Sequence, residues 1–219
     1  MSIAPKRRLS LLIDKHIAPL LAAKGFERDR DVFVCDKQSM QWLIELQRSK
    51  WNSSGQIDFT FSIGVYVPGL FSTYSGRLEF ETRSAPTCCI HGRIGMLDPD
   101  HFDSWWSLSR EECSEQFDDS IRQSIIDKLV RIAFPFLARF ESLNDVAEFL
   151  VSARKPLDKT VFPQSHAIAF AYAAILYQRL GLPKEQMTAL ARAEEEARGS
   201  PVEEIVGALC LRMASRDEV

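Results

Sequence analysis

No glycine-rich phosphate loop is present in this sequence. Glycine is scarce, ten in 219 residues, and Gly64, Gly69, Gly76, Gly92 and Gly95 fit neither the dinucleotide nor the P-loop spacing. Those motifs need glycine at fixed positions so that backbone amides can approach a phosphate, so a conventional nucleotide enzyme is not expected. Basic charge is short as well. Lys and Arg total 27 against 30 Asp and Glu, a net charge of −3. Broad binding to a phosphate backbone needs clustered cations on one face, and nucleic acid is therefore not an expected partner.

Cysteine pairs at zinc spacing are also missing. Cys88, Cys89, His91, His101 and Cys113 are ligand types close in sequence, but tetrahedral zinc usually takes cysteines two to four residues apart. Adjacent Cys88 and Cys89 would point to opposite faces of a strand, Cys88 with Ile90 and Cys89 with His91. A Cys89–His91 pair is the one weak metal alternative, and no metal or cofactor is expected. The same pair as thiolate and imidazole has no helix N-terminus or nucleophile elbow beside it to lower the thiol pKa. Five cysteines, an odd number, fit free thiols in a reducing cytosol. A long apolar run is absent too. Lys6-Arg7-Arg8 before Leu9 to Ala23 resembles a signal n-region, but Asp14, Lys15 and His16 interrupt the run and no small-residue cleavage site follows. The apolar stretch Ser165 to Gln178 is too short to span a bilayer. A cytoplasmic location without membrane contact is the expectation.

The residues that are present alternate in two distinct periods. Leu9, Leu12, Ile13, His16, Ile17, Leu20 and Leu21 recur at helical spacing, which predicts an amphipathic helix over residues 6–24, kinked or restarted at Pro19 and ended by Gly25. The period then becomes two. Val32–Cys35 is a short apolar run. Gln41–Arg48 sets Trp42, Ile44 and Leu46 on one face and Gln41, Leu43, Glu45 and Gln47 on the other. Ile57–Val67 alternates Ile57, Phe59, Phe61, Ile63, Val65 and Val67 with mostly polar residues, as an antiparallel strand with one buried face does. Arg77–Arg83 and Thr87–His91 are the remaining strand candidates, giving an antiparallel meander of four to five strands.

From residue 111 the period is helical: Glu111–Ala133, Leu143–Ala153 capped by Ser142 or Asn144, Gln164–Leu180, Lys184–Arg198 and Val202–Ser215. The fold class is therefore α+β. Residues 1–110 form a sheet domain and residues 111–219 a helical region, either separate or packed on the sheet as one domain. Charge divides the same way: residues 1–110 hold 14 basic against 12 acidic residues, and residues 111–219 hold 13 against 18. Within the helices, Ala171, Ala174, Tyr177, Gly181, Ala189 and Ala193 resemble one tetratricopeptide-type hairpin. The period does not recur, which makes it a local packing unit.

Two places could bind something. Gln47-Arg48-Ser49-Lys50-Trp51 ends the second long strand with polar side chains beside an indole, suited to an anion or a planar ligand, or simply to a solvated turn. Trp105-Trp106, with Phe102 and Asp103, lies in a linker; two adjacent indoles face opposite ways, one plugging the sheet–helix layer and the other free for a groove. With Arg93 these supply the candidate ligand residues Gln47, Arg48, Ser49, Lys50, Arg93 and Trp105.

Lys24-Gly25-Phe26, Leu46-Gln47-Arg48-Ser49-Lys50, Phe59 to Val65, Arg93-Ile94-Gly95 and Trp105-Trp106 come in an order that resembles the bacterial family called Domain of Unknown Function 4304, over about residues 8–150. The chain departs from it in having Ser62-Ile63 where Asn often precedes the Gly-Val. The resemblance implies an uncharacterised bacterial cytoplasmic protein and brings no activity, cofactor or site with it. Three readings follow. The first is a non-enzymatic binding or protein-interaction module. The second is an enzyme with Arg48, Lys50, Arg93 and His91 in a basic cleft. The third is a helical docking scaffold, or a homodimer, through an exposed apolar stripe on Ala167–Ala193.

Overall fold

A computed structural model describes residues 3–77, 83–152 and 161–214. The chain opens with a helical rod made of α1 (Pro5–Leu12), a π-helical turn (Ile13–Ile17) and α2 (Ala18–Ala22). The wide turn lies directly before Pro19 for a physical reason. Proline has no amide to give the carbonyl four residues back, and its ring crowds that carbonyl. Widening the turn makes room, and the Ala18 amide bonds Ile13 O, five residues back. The solution is repeated at Pro135. There α4 (Glu115–Lys128) passes through a second π turn (Leu129–Ala133) into α5 (Phe134–Leu137), and the Phe134 amide reaches Leu129 O. Gly25, at φ +85°, ends the first rod, with the Phe26 amide bonded back to Leu21 O at 3.0 Å.

Among the described residues six strands follow in one antiparallel sheet: β1 (Glu27–Asp29), β2 (Val32–Lys37), β3 (Met40–Arg48), β4 (Gln56–Tyr66), β5 (Ile90–Arg93) and β6 (Trp106–Ser109). The order is β1-β2-β3-β4, and both β5 and β6 pair with the far edge of β4. They share that edge end to end, β6 along Gln56–Phe59 and β5 along Ser62–Val65. The expected linker around Trp106 is thus a strand, because β4 is long enough to leave half an edge for it. The strand expected over Thr87–His91 instead begins at Ile90. Ala85–Thr87 is a 3-10 turn with Pro86 as its second residue and with Thr87 Oγ1 accepting from the Ser84 amide. The strand expected over Arg77–Arg83 falls mostly outside the described residues.

One face of the sheet carries Ile44, Leu46, Phe59, Phe61, Ile63, Val65, Trp106 and Leu108, all buried in a core shared with the helices. Trp106 is the plug between layers: it stacks on Phe59 with centroids 6.0 Å apart and donates from Nε1 to Ser124 Oγ of α4 at 3.0 Å. The remaining helices are α3 (Leu70–Ser75), α6 (Leu143–Val151), α7 (His166–Leu180), α8 (Pro183–Ala197) and α9 (Glu203–Ala214). Ser142 caps α6 in a capping box with Asp145, and Ser165 caps α7. Helix α7 is buried around nearly its whole circumference from Ala167 to Tyr177, as expected of a central helix. The stripe proposed for docking is therefore consumed inside the chain, since Ala171, Ala174, Ala189 and Ala193 all contribute to the core. Among the described residues no helix is long and apolar enough to cross a membrane.

One buried charge ties the first rod to the rest. Arg8 is 4 % exposed and donates to the Asp118 carboxylate on α4, to Ser109 O at 2.6 Å and to Glu112 O at 2.9 Å. Replacing Arg8 with Met keeps the stem and strips these bonds from two carbonyls and a carboxylate. The expected loss is about 2–3 kcal/mol of unfolding free energy. Urea denaturation measures it, and Asp118→Asn should lose less because the carbonyl contacts persist.

Candidate functional site

The second face of the sheet is built differently. Antiparallel register puts Glu45 opposite Ser62, Gln47 opposite Thr60, Ser62 opposite Arg93 and Gly64 opposite His91. Directly paired residues share a face, so polar side chains from three neighbouring strands gather on one side. Around them lies a cleft of about 640 Å³, within the range of small-molecule sites. Its polar lining is Glu45, Gln47, Ser62, His91, Arg93, Asp103 and Gln164; Ala85, Pro86, Met96 and Phe162 supply apolar surface.

Two glycines let the walls come this close. A Cβ on Gly64 would sit 2.7 Å from Cys88 Sγ and 3.2 Å from His91 Cβ. At Gly95 it would lie 2.3 Å from both Phe102 O and Ser104 N. Glycine at 95 thus allows the 98–105 loop to fold back on the sheet, where Thr60 Oγ1 holds Ser104 O at 2.8 Å. That loop delivers Asp103 to Arg93, whose guanidinium also lies 5.5 Å from the Trp105 ring centre. The opposite wall comes from the lead-in to α7. Phe162 bridges β5 by backbone bonds to His91 (2.7 and 3.3 Å), and its ring stacks on the imidazole with centroids 4.6 Å apart.

Each polar group has a definable hydrogen-bonding state. Burial lowers the His91 pKa, so the ring is neutral near pH 7. Its Nδ1 faces Cys88 O at 3.3 Å; a carbonyl can only accept, so Nδ1 carries the proton and Nε2 is left as an acceptor. Glu45 Oε2 accepts from the Ala85 amide at 2.6 Å. Ser62 Oγ donates to Gln47 Oε1 at 3.2 Å, which leaves the amide NH2 of Gln47 as a donor. Asp103 Oδ1 is buried with no hydrogen-bond partner, while its other oxygen holds Arg93.

The residues singled out from sequence divide between this cleft and other surfaces. Gln47, Arg93 and His91 line it, and Trp105 flanks Arg93 at 38 % exposure. Arg48 does not join them. It follows Gln47 by one residue, so it leaves from the other face, where it pairs with Asp31. Ser49 turns the hairpin, its hydroxyl accepting from the Trp51 amide at 3.2 Å, and Lys50 lies 5.0 Å from the ring of Trp51, which is 81 % exposed. Cys89 and His91 also part. The alternation fails behind Ile90, so Cys89 enters the main core beside Ile90, and Cys88 instead joins the small second-face cluster of Val34, Leu43 and Tyr66. Burial pushes the Cys89 thiol up to about 12 and raises Cys88 as well, which keeps both protonated. Among the described residues no group of three or more His, Cys, Asp or Glu could hold a metal ion.

Glu45, Ser62, Phe162 and Gln164 were not singled out from sequence, and Asp103 was named only as a neighbour of Trp105-Trp106. Glu45 and Ser62 carry a usable signal, since they share the alternation of Gln47 and lie opposite each other. Asp103, Phe162 and Gln164 reach the cleft only through tertiary folding.

Two outcomes follow. Gly95→Ala should destabilise the fold by roughly 1–3 kcal/mol, because backbone rather than a flexible side chain occupies the space, and Trp105 fluorescence should shift as the loop moves. His91 should also make stability depend on pH. Its folded pKa lies below the unfolded value, so its contribution is complete above about pH 6.5 and is lost as pH falls from there through the folded pKa. Urea titrations at pH 7.5 and 5.5 check this. His91→Phe, which preserves the stack on Phe162, should flatten that slope.

No curated protein and no solved structure matches the chain. A family match runs over residues 17–135 and takes in all six strands, α4 and every cleft residue named above except Phe162 and Gln164. Spanning more than half of the sequence, that match shows that the chain belongs to the family described as "Domain of unknown function (DUF4304)".

Proposed function

We propose that this protein is a binding module whose ligand enters the second-face cleft, and that it works by recognition and not by catalysis. The observation that carries this reading is convergence. Side chains from β3, β4 and β5, the 98–105 loop and the lead-in to α7 meet around one cleft of about 640 Å³. Their positions are set by strand register and by two glycine contacts that tolerate no Cβ, and such rigid framing keeps the ordering cost of binding low. Among the described residues, hydrogen-bonding capacity is left over in the Gln47 amide, His91 Nε2 and the Arg93 guanidinium.

The enzyme reading needed Arg48, Lys50, Arg93 and His91 within reach of one another. Strand alternation and the hairpin turn send Arg48 and Lys50 elsewhere, so that basic constellation is not assembled. The docking reading needed an exposed stripe on α7 and α8, and its small residues Ala171, Ala174, Ala189 and Ala193 lie in the core instead.

The test is a heteronuclear NMR titration of the full chain with a panel of free amino acids, dipeptides and nucleosides. At least one member should shift backbone amides of Gln47, Ser62, Gly92 and Phe162 together, and Gln47→Ala with Ser62→Ala should weaken that response about tenfold. Perturbations confined to α8 and α9, or none at all in the cleft, would overturn the assignment.

A further inference from the structure

Two acceptors in the cleft lack a donor among the described residues. Glu45 brings a carboxylate with one oxygen on the Ala85 amide, and His91 offers Nε2. On the donor side, Gln47 keeps its amide N–H groups and Arg93 gives Asp103 only part of its five. Glu45 and His91 can therefore take N–H groups from a ligand.

The sheet around the cleft has the matching charge. Glu27, Asp29, Asp36, Glu45 and Asp58 are the strand carboxylates, and the register places all five on the second face. Among the described residues none of them is in an ion pair; Asp36 and Asp58 accept only from glutamine amides. The strand cations lie the other way. Arg28, Lys37 and Arg48 leave from the helix-packed face and pair with Asp14, Glu141 and Asp31. Arg93 alone is on the second face, neutralised by Asp103. Among the strand residues, carboxylates therefore outnumber cations five to one on the face that holds the cleft.

Resting on the reading of the cleft as a binding site, we propose that its ligand is an organic cation, an ammonium or guanidinium group whose N–H donors reach Glu45 and His91 beside the Phe162 ring. An anion in the cleft would face the carboxylates of Glu45 and Asp103. The cleft acceptors are not gathered as a metal site is, and acceptors set apart suit a ligand that spreads its donors over several ångströms. The shared chemistry has two sources, a free polyamine or a lysine or arginine side chain of a polypeptide.

Isothermal titration calorimetry and NMR with three probes, spermidine, an octalysine peptide and an octaglutamate peptide, test this on the full chain. Spermidine, octalysine or both should bind with shifts at Gln47, Gly92 and Phe162, and which of them binds identifies the source. Affinity should fall about tenfold in Glu45→Gln, a change that keeps an oxygen for the Ala85 amide. It should not change in Glu195→Gln, which removes the same charge from the exposed side of α8. Equal losses in both variants would reduce the effect to net charge and overturn the proposal, as would silence from both cations. Octaglutamate, or an anionic or neutral panel member, binding in the cleft would overturn the cation while leaving the cleft as a binding site.

Discussion

Pairing along β4 is the constraint on which the rest of this structure depends. Its eleven residues present one edge to β3 and divide the other between β6 and β5. Because side chains alternate strictly along a strand, each residue of β4 fixes the face of its partners on both sides. Phe59, Phe61 and Ile63 commit one face to the helices. Thr60, Ser62 and Gly64 then commit the other to polar contact, and Gln47, Glu45, His91 and Arg93 must follow. A one-residue slip would bury Arg93 in the core and turn Phe61 outward. The apolar face thus forbids such a slip and, by doing so, holds the polar face in place.

The helical half supports that sheet by an unusual treatment of proline. Both long rods contain one, Pro19 and Pro135, and both open into a π turn just before it instead of breaking. The rods stay continuous and keep an apolar face on the sheet across the interruption. Helix α7 is reached by the bridge from Phe162 to His91 and is sealed on almost every side. It makes the core of the C-terminal helices continuous with that of the sheet, because one hydrophobic cluster runs from Leu9 to Met213. The same lead-in supplies Phe162 to the cleft, so the wall of the site is coupled to core packing.

Much of this was legible in the residues themselves. The α+β class, the first rod and its Gly25 stop, the faces of β3 and β4 and the Ser142 cap all follow from periods of 3.6 and 2 and from local capping chemistry. What was not legible depends on edges and on distant backbone. Nothing local in Trp106-Ser107-Leu108-Ser109 distinguishes a four-residue strand from a linker; it becomes one because half an edge of β4 is unoccupied. Cys88 and Cys89 were assigned faces by alternation, which holds only where the ladder holds, and the ladder starts at Ile90. Arg48 looked like a partner of Gln47 because they are neighbours in sequence, although neighbours on a strand point apart. Glu45, two residues away, was the true partner. Asp103 arrives through a loop whose approach is permitted by Gly95.

The separation of charge between the two sheet faces has a structural origin and a chemical consequence. On the first face, cations at the sheet perimeter are spent holding other segments: Arg28 on Asp14 of the first rod, Lys37 on Glu141 after α5, and Arg48 on Asp31. Two of them also lie over rings, the Lys37 ammonium 3.7 Å from the Trp42 ring centre and the Arg28 guanidinium 5.5 Å from that of Phe33. Carboxylates in those positions would repel the acidic side chains of the rods. Packing alone therefore explains why the cations lie where they do. Packing also accounts for the carboxylates opposite. The first face is closed by helices and would bury a charge at high cost, so the five strand carboxylates, none of them in an ion pair among the described residues, lie on the second face. Their gathering on the side that holds the cleft is the charge on which the proposed recognition of a cation rests.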